Sequence, residues 1–181
     1  MNRDHLPFRA VNRVAAPGYQ SDLQRHHLLP RQLLQRRCFA ALFERIGTGR
    51  VGFDDFRRNG LLLPANEAAA LRTGLPLHRG PHRSYNELVI ERVGQIEAGW
   101  RGNRGRDEAG YEAFARLALL QRALRRRLLA DRRAAALLHR RDPARAQADF
   151  ALLDALADQL WPATESVQAP VQAATSSAFA A

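Results

Sequence analysis

Four of the six histidines fall into an ordered array, and that array sets what the chain must build around them. His26-His27 precedes Leu-Leu-Pro, Asn59-Gly60 precedes Leu-Leu-Leu-Pro, and His78-Arg-Gly-Pro-His82 follows. Neutral imidazole is the commonest protein ligand for transition metals and the usual general base near neutral pH. The single cysteine, Cys38, excludes an internal disulfide and any cysteine-based zinc site. Any metal must therefore be held by histidine, asparagine or carboxylate.

The charge balance narrows the partner. A formal net charge of +10 suits a polyanion, nucleic acid ahead of an anionic membrane. All 28 basic residues are arginine, and with abundant alanine and leucine this looks like a composition bias. The choice of arginine therefore says little, while the excess of positive charge stands. No apolar run approaches the roughly 20 residues that span a bilayer, so no membrane association is expected. The first residues, Met-Asn-Arg-Asp-His, lack the apolar stretch of a secretory signal. The expected setting is the cytoplasm, or export by a machine that does not read such a signal.

Hydrophobic periodicity gives a coarse map. Residues 1–22, polar and carrying Pro7, Pro17 and Gly18, read as a loosely ordered lead-in. Residues 31–46 read as an amphipathic helix: Leu34, Cys38, Leu42 and Ile46 fall at helical spacing, Leu33, Phe39 and Phe43 widen the stripe, and Gly47 closes it. Cys38 on that stripe reads as packing. Residues 47–58 read as a loop, and Leu61-Leu62-Leu63-Pro64 as a brief strand. Asn66 caps a short expected helix that ends before Gly74. A further helix starts at Pro81 or Ser84 and runs to about Ala98, followed by a Gly/Arg connector over 99–106. Beyond it two helices are expected. The first carries a stripe of Tyr111, Phe114, Leu117, Leu120, Leu124 and Leu128; the second opens at Asp142-Pro143. Residues 162–181 read as a disordered tail.

The order of histidine pair, helix, Asn-Gly, short strand, second histidine pair and helix resembles the AHH family of the HNH/endonuclease VII superfamily. The resemblance spans roughly residues 25–97 and also includes Asp55 and Tyr85-Asn86. It implies a ββα-metal nuclease core, at 23–99; with the helices read beyond it as an α-helical extension at 107–161, the expected fold is a helix-rich α+β protein. Carried over by position, His26 would be a metal ligand, with His82 and His78 as the second pair and Asn86 a further candidate. His27 would be the general base, and Asn59 would hold the hairpin and orient it. The cofactor would be one divalent ion (Mg, Mn or Zn), and the reaction hydrolysis of nucleic acid, DNA before RNA. A bacterial toxin setting with an acidic immunity protein is also implied. One departure stands out: the family's small residue before the pair is Arg25 here. On a strand Arg25 shares a face with His27, so it could touch a substrate phosphate or crowd the site.

The chemistry suits these residue types. A phosphodiester resists hydrolysis because a poor nucleophile must approach a charged centre and expel an alkoxide. A divalent ion and a neutral imidazole divide that task. Arg79 and Arg83 flank the second histidine pair and could bind neighbouring phosphates. Arg125-Arg126-Arg127, away from the leucine stripe, reads as a solvated face. Two rivals stand: a nucleic-acid-binding module with a dead site, and a helical interaction protein whose histidines are incidental. The first loses only the chemistry; the second predicts no divalent-metal uptake.

Overall fold

Two short strands form the frame on which everything else is hung. In the computed structural model, which describes residues 5–79 and 82–130, β1 (Leu23–His27) pairs antiparallel with β2 (Gly60–Pro64). The register sets His26 opposite Leu61 and His27 opposite Gly60. Directly opposed residues project to one face of a sheet and alternate along each strand. His26, Gln24, Leu61 and Leu63 therefore share one face, and His27, Arg25, Leu62 and Gly60 the other.

Between the strands the chain forms α1 (Arg37–Ile46), α2 (Thr48–Val51) and α3 (Phe56–Asn59). The expected helix over 31–46 is split. Residues 31–35 make a 3-10 turn, and Arg36 is extended at φ −85°, ψ 117°. That break resets the helical phase, so α1 buries Phe39, Leu42, Phe43 and Ile46. Leu34 and Cys38 are turned out to solvent, and Cys38 is not a packing residue. Gly47 ends α1 at φ 86°, a left-handed value that favours glycine. The expected loop at 47–58 contains the two helical turns α2 and α3. Asp55 opens α3 by accepting the Arg57 N–H at 3.0 Å.

Beyond β2, α4 (Glu67–Thr73) has the expected ends: Asn66 accepts the Ala69 N–H at 2.9 Å, and Gly74 closes it at φ 68°. Two long helices, α5 (Arg83–Gly102) and α6 (Ala109–Ala130), complete the described residues. α5 runs four residues past its expected end. A mid-helix glycine costs about 1 kcal/mol, and here Ile96 and Trp100, packed in the core, outweigh Gly99. The Asn103 amide then donates to the Gly99 carbonyl at 2.9 Å. α6 buries Ala109, Ala113, Leu117, Leu120, Gln121, Leu124 and Leu128, whereas Tyr111 is exposed.

These elements share one apolar cluster. It draws on Leu28, Leu29 and Leu33 after β1, the buried face of α1, Leu61 and Leu63 of β2, Val89, Val93 and Ile96 of α5, and the leucines of α6. The stretch expected to be a loose lead-in is built onto this body from residue 6 onward. Phe8 is buried, Pro7 bridges Asp55, and Asn12 bonds the backbone of Gln20 and Leu23. The helix expected after Asp142-Pro143 and the tail at 162–181 lie outside the described residues. No helix among those described is long and apolar enough to cross a membrane.

Candidate active site

His26 enters the site from the core face of the hairpin and is 4 % exposed. His78 is brought up by the backbone: its N–H donates to the Pro64 carbonyl at 2.7 Å, tying it to the end of β2. His82 immediately precedes α5, and its carbonyl accepts the Asn86 N–H at 2.9 Å in the first turn. The three rings converge. His26 lies 5.0 Å from His78 and 5.7 Å from His82 between centroids, and His78 lies 4.3 Å from His82. One potential ligand nitrogen from each falls within 4.8 Å of the other two.

This set fits a divalent ion. Ring nitrogens bound at about 2.0–2.1 Å can stand no more than about 4.2 Å apart, so the rings would close by several tenths of an ångström. The buried Nε2 of His26 has no hydrogen-bond partner among the described residues. Burial, then the neighbouring His78 and His82, holds His26 well below the usual imidazole range. Burial and then His82 bring His78 down to about 4. Neutral imidazoles with lone pairs to offer are the form a metal requires. His78 is further oriented by Gln24, whose Oε1 lies 3.1 Å from Nδ1. Tyr85, fully buried, packs edge-on against His26 at 4.8 Å and donates its hydroxyl to the Leu28 carbonyl at 2.8 Å. It thereby ties α5 to the chain leaving β1.

His27 faces the other way. Its ring stacks on Phe8 at 3.7 Å with the planes 2° apart, and its Nε2 is buried without a partner among the described residues. Burial, followed by Arg31 and opposed by Asp54, lowers it to about 4, so the ring is neutral across the physiological range. Asn59, with no exposed surface, does not reach that ring. It clamps the residue two positions on: Oδ1 accepts the Leu29 N–H at 2.7 Å, and Nδ2 donates to the Leu29 carbonyl at 3.0 Å. The Asn59 carbonyl also accepts the Leu28 N–H at 2.8 Å. Asn59 thus fixes the backbone one and two residues beyond His27.

Gln121 of α6 belongs to the same clamp. Its amide donates to Asn59 Oδ1 at 3.2 Å and to the Val51 carbonyl at 3.3 Å. Its sequence signal is one glutamine inside a leucine stripe. Arg25 is exposed and donates to the Phe8 carbonyl at 2.8 Å. Arg79, between His78 and His82 in the sequence, and Arg83, directly after His82, are also exposed.

A hairpin and a helix around a histidine cluster, in a helix-rich α+β body, define a ββα nuclease core. A family model described as AHH, a nuclease family of the HNH/ENDO VII superfamily with conserved AHH, matches residues 8–124. With well over half the chain covered, the protein belongs to this nuclease family, and its substrate is nucleic acid. The Ala-His-His of the family reads Arg25-His26-His27 here. Comparison with curated proteins and with solved structures gave no match.

Proposed function

We propose that the protein is a metal-dependent endonuclease that hydrolyses DNA phosphodiesters, with His27 as general base. The observation that carries this reading is the split of two adjacent histidines across β1. His26 joins a three-imidazole cluster, while His27 keeps a neutral ring and an unpartnered nitrogen. Both stand at the carboxyl end of β1 on opposite faces of the hairpin, so the reading requires a phosphodiester bound across that strand end.

His26, His78 and His82 would hold the divalent ion. When bound, the ion polarises the phosphoryl oxygen and stabilises the leaving oxygen. His27 accepts the proton of the attacking water. Arg25, Arg79 and Arg83 bind flanking phosphates; Arg25 has one of its five donors engaged by Phe8, and the rest of the guanidinium can reach a phosphate. A toxin role, with an acidic immunity protein as partner and export by a route that needs no secretory signal, is supported by the family resemblance and the charge of +10.

Incubation of supercoiled plasmid with Mg2+, Mn2+ or Zn2+, with and without chelator, tests the reading; single-stranded RNA in parallel tests the preference. Metal-dependent nicking that chelator stops is expected. DNA binding without nicking under every metal would instead favour a binding module with a dead site.

A further inference from the structure

The stack of Phe8 on His27 is held by more contacts than packing requires. Phe8 is buried yet stands outside the main apolar cluster; its ring meets His27 face to face and Phe56 edge-on at 5.1 Å. Its backbone is fastened on both flanks. The Phe8 N–H donates to the Asp54 carbonyl at 3.2 Å, and the Phe8 carbonyl accepts from Arg25 at 2.8 Å. Just before it, the Leu6 carbonyl accepts the Phe56 N–H at 2.7 Å, and the Leu6 N–H reaches Asp55 Oδ1 at 3.3 Å.

The space for this arrangement comes from Gly60. Opposite His27 in the register, it carries no side chain, and Phe56 fills the gap. A Cβ at Gly60 would lie 2.2 Å from the Phe56 ring. Its backbone, at φ −111°, is ordinary extended chain, so the demand for glycine is one of space. Phe56 on Gly60 supports Phe8, and Phe8 supports His27.

We infer that Phe8 is a positioning residue for His27, fixing the plane in which the base presents its nitrogens. This rests on His27 being the base. The torsion that turns an imidazole about its Cβ–Cγ bond has a broad, two-fold preference. A ring on a strand end would otherwise swing out of line. A coplanar aromatic face removes that freedom while meeting only the face of the ring; the buried Nε2, on the ring edge, still has no partner among the described residues. Arg25, the residue by which this chain departs from the family's pattern, secures the strap that carries Phe8.

The test compares Phe8→Leu, which keeps apolar bulk and loses the plane, with Phe8→Tyr, which keeps both. Duplex cleavage gives kcat and KM, calorimetry with Mn2+ alone gives metal affinity, and proton NMR gives the ring-current shift on His27. In the wild type, His27 ring protons should be shifted upfield and show contacts to Phe8. In Phe8→Leu, kcat should fall about 10- to 100-fold, the usual cost of a misplaced catalytic group. KM and Mn2+ affinity should hold, the ring-current shift should vanish, and Phe8→Tyr should restore kcat. Phe8→Met, unbranched and adaptable, replaces Phe8→Leu if the latter does not fold. Wild-type kcat in the leucine or methionine variant would overturn the inference, as would a wild-type His27 without ring-current shift. A loss spread equally over KM and Mn2+ affinity, with no rescue by tyrosine, would reduce Phe8 to an apolar filler. If His27→Ala cleaves at the wild-type rate, the base assignment beneath it fails, whatever the stack does.

Discussion

His27 stands outside both the three-imidazole cluster and the apolar core, so removing its ring should read out in chemistry alone. His27→Ala is expected to lower cleavage by about 10²- to 10⁴-fold, the usual worth of a general base. Mn2+ affinity by calorimetry should hold. His26→Ala should do the reverse, weakening Mn2+ binding first. Asn59→Ala is a different kind of loss: it strips the Leu29 N–H and carbonyl and the Phe53 carbonyl of their Asn59 partner in the interior, while the Gln121 amide keeps the Val51 carbonyl. Each orphaned group costs about 1–3 kcal/mol, so denaturant unfolding should show a loss of several kcal/mol. The histidines were legible in the sequence because ligand chemistry is written in residue type and spacing. Phe8 and Gln121 were not. Gln121 meets Asn59 across 62 residues of chain, and nothing local in a glutamine or a phenylalanine names so distant a partner.

Among the elements, those with chemical punctuation were read correctly. Asn66 and Gly74 bound α4, and Pro64 ends β2, because caps and breakers act within a few residues. α1 was misphased because nothing in Arg36 announces an extended backbone, and α5 was cut short because glycine's penalty is smaller than the packing that overrides it. The arginine run of α6 was also misjudged: Arg125 and Arg127 are only partly exposed. Arg125 donates to the Arg57 carbonyl at 2.8 Å, closing the carboxyl end of α3 just before the Asn59 clamp. Arg125→Gln is therefore expected to destabilise by about 0.5–1.5 kcal/mol, the net worth of a hydrogen bond. Arg126→Gln, on the exposed side, should be neutral in the same thermal melts.

For the molecule as a whole, α6 supplies core as well as surface. Leu117, Leu120, Leu124 and Leu128 are each at most 4 % exposed. Burying one leucine contributes about 1.5–3 kcal/mol, against a net stability near 5–15 kcal/mol for a domain. Truncation after Gly102 should accordingly abolish cooperative unfolding by circular dichroism, although every proposed ligand and the base remain. Acid should act on the metal-free protein in a defined window. His27 and His78 are lowered from 6.5 to about 4 in the fold. Between those values the unfolded chain binds more protons, so stability is full above about 6.5 and drains away as pH falls toward 4. Melting temperatures of the metal-free protein should drop through that interval, and His78→Gln should flatten the decline.

The pairing of His27 with Gly60 and His26 with Leu61 has one more consequence. The two imidazoles are chemically the same group, and only the parity of their positions separates the proposed ligand from the proposed base. A slip of one residue would send every side chain of β1 to the opposite face. His27 would then join the cluster, and His26 would lie against Phe8. The hydrogen bonds of Asn59 and the fit of Phe56 over Gly60 are thus an assignment of labour, written in strand alignment, that no inspection of the two side chains could supply.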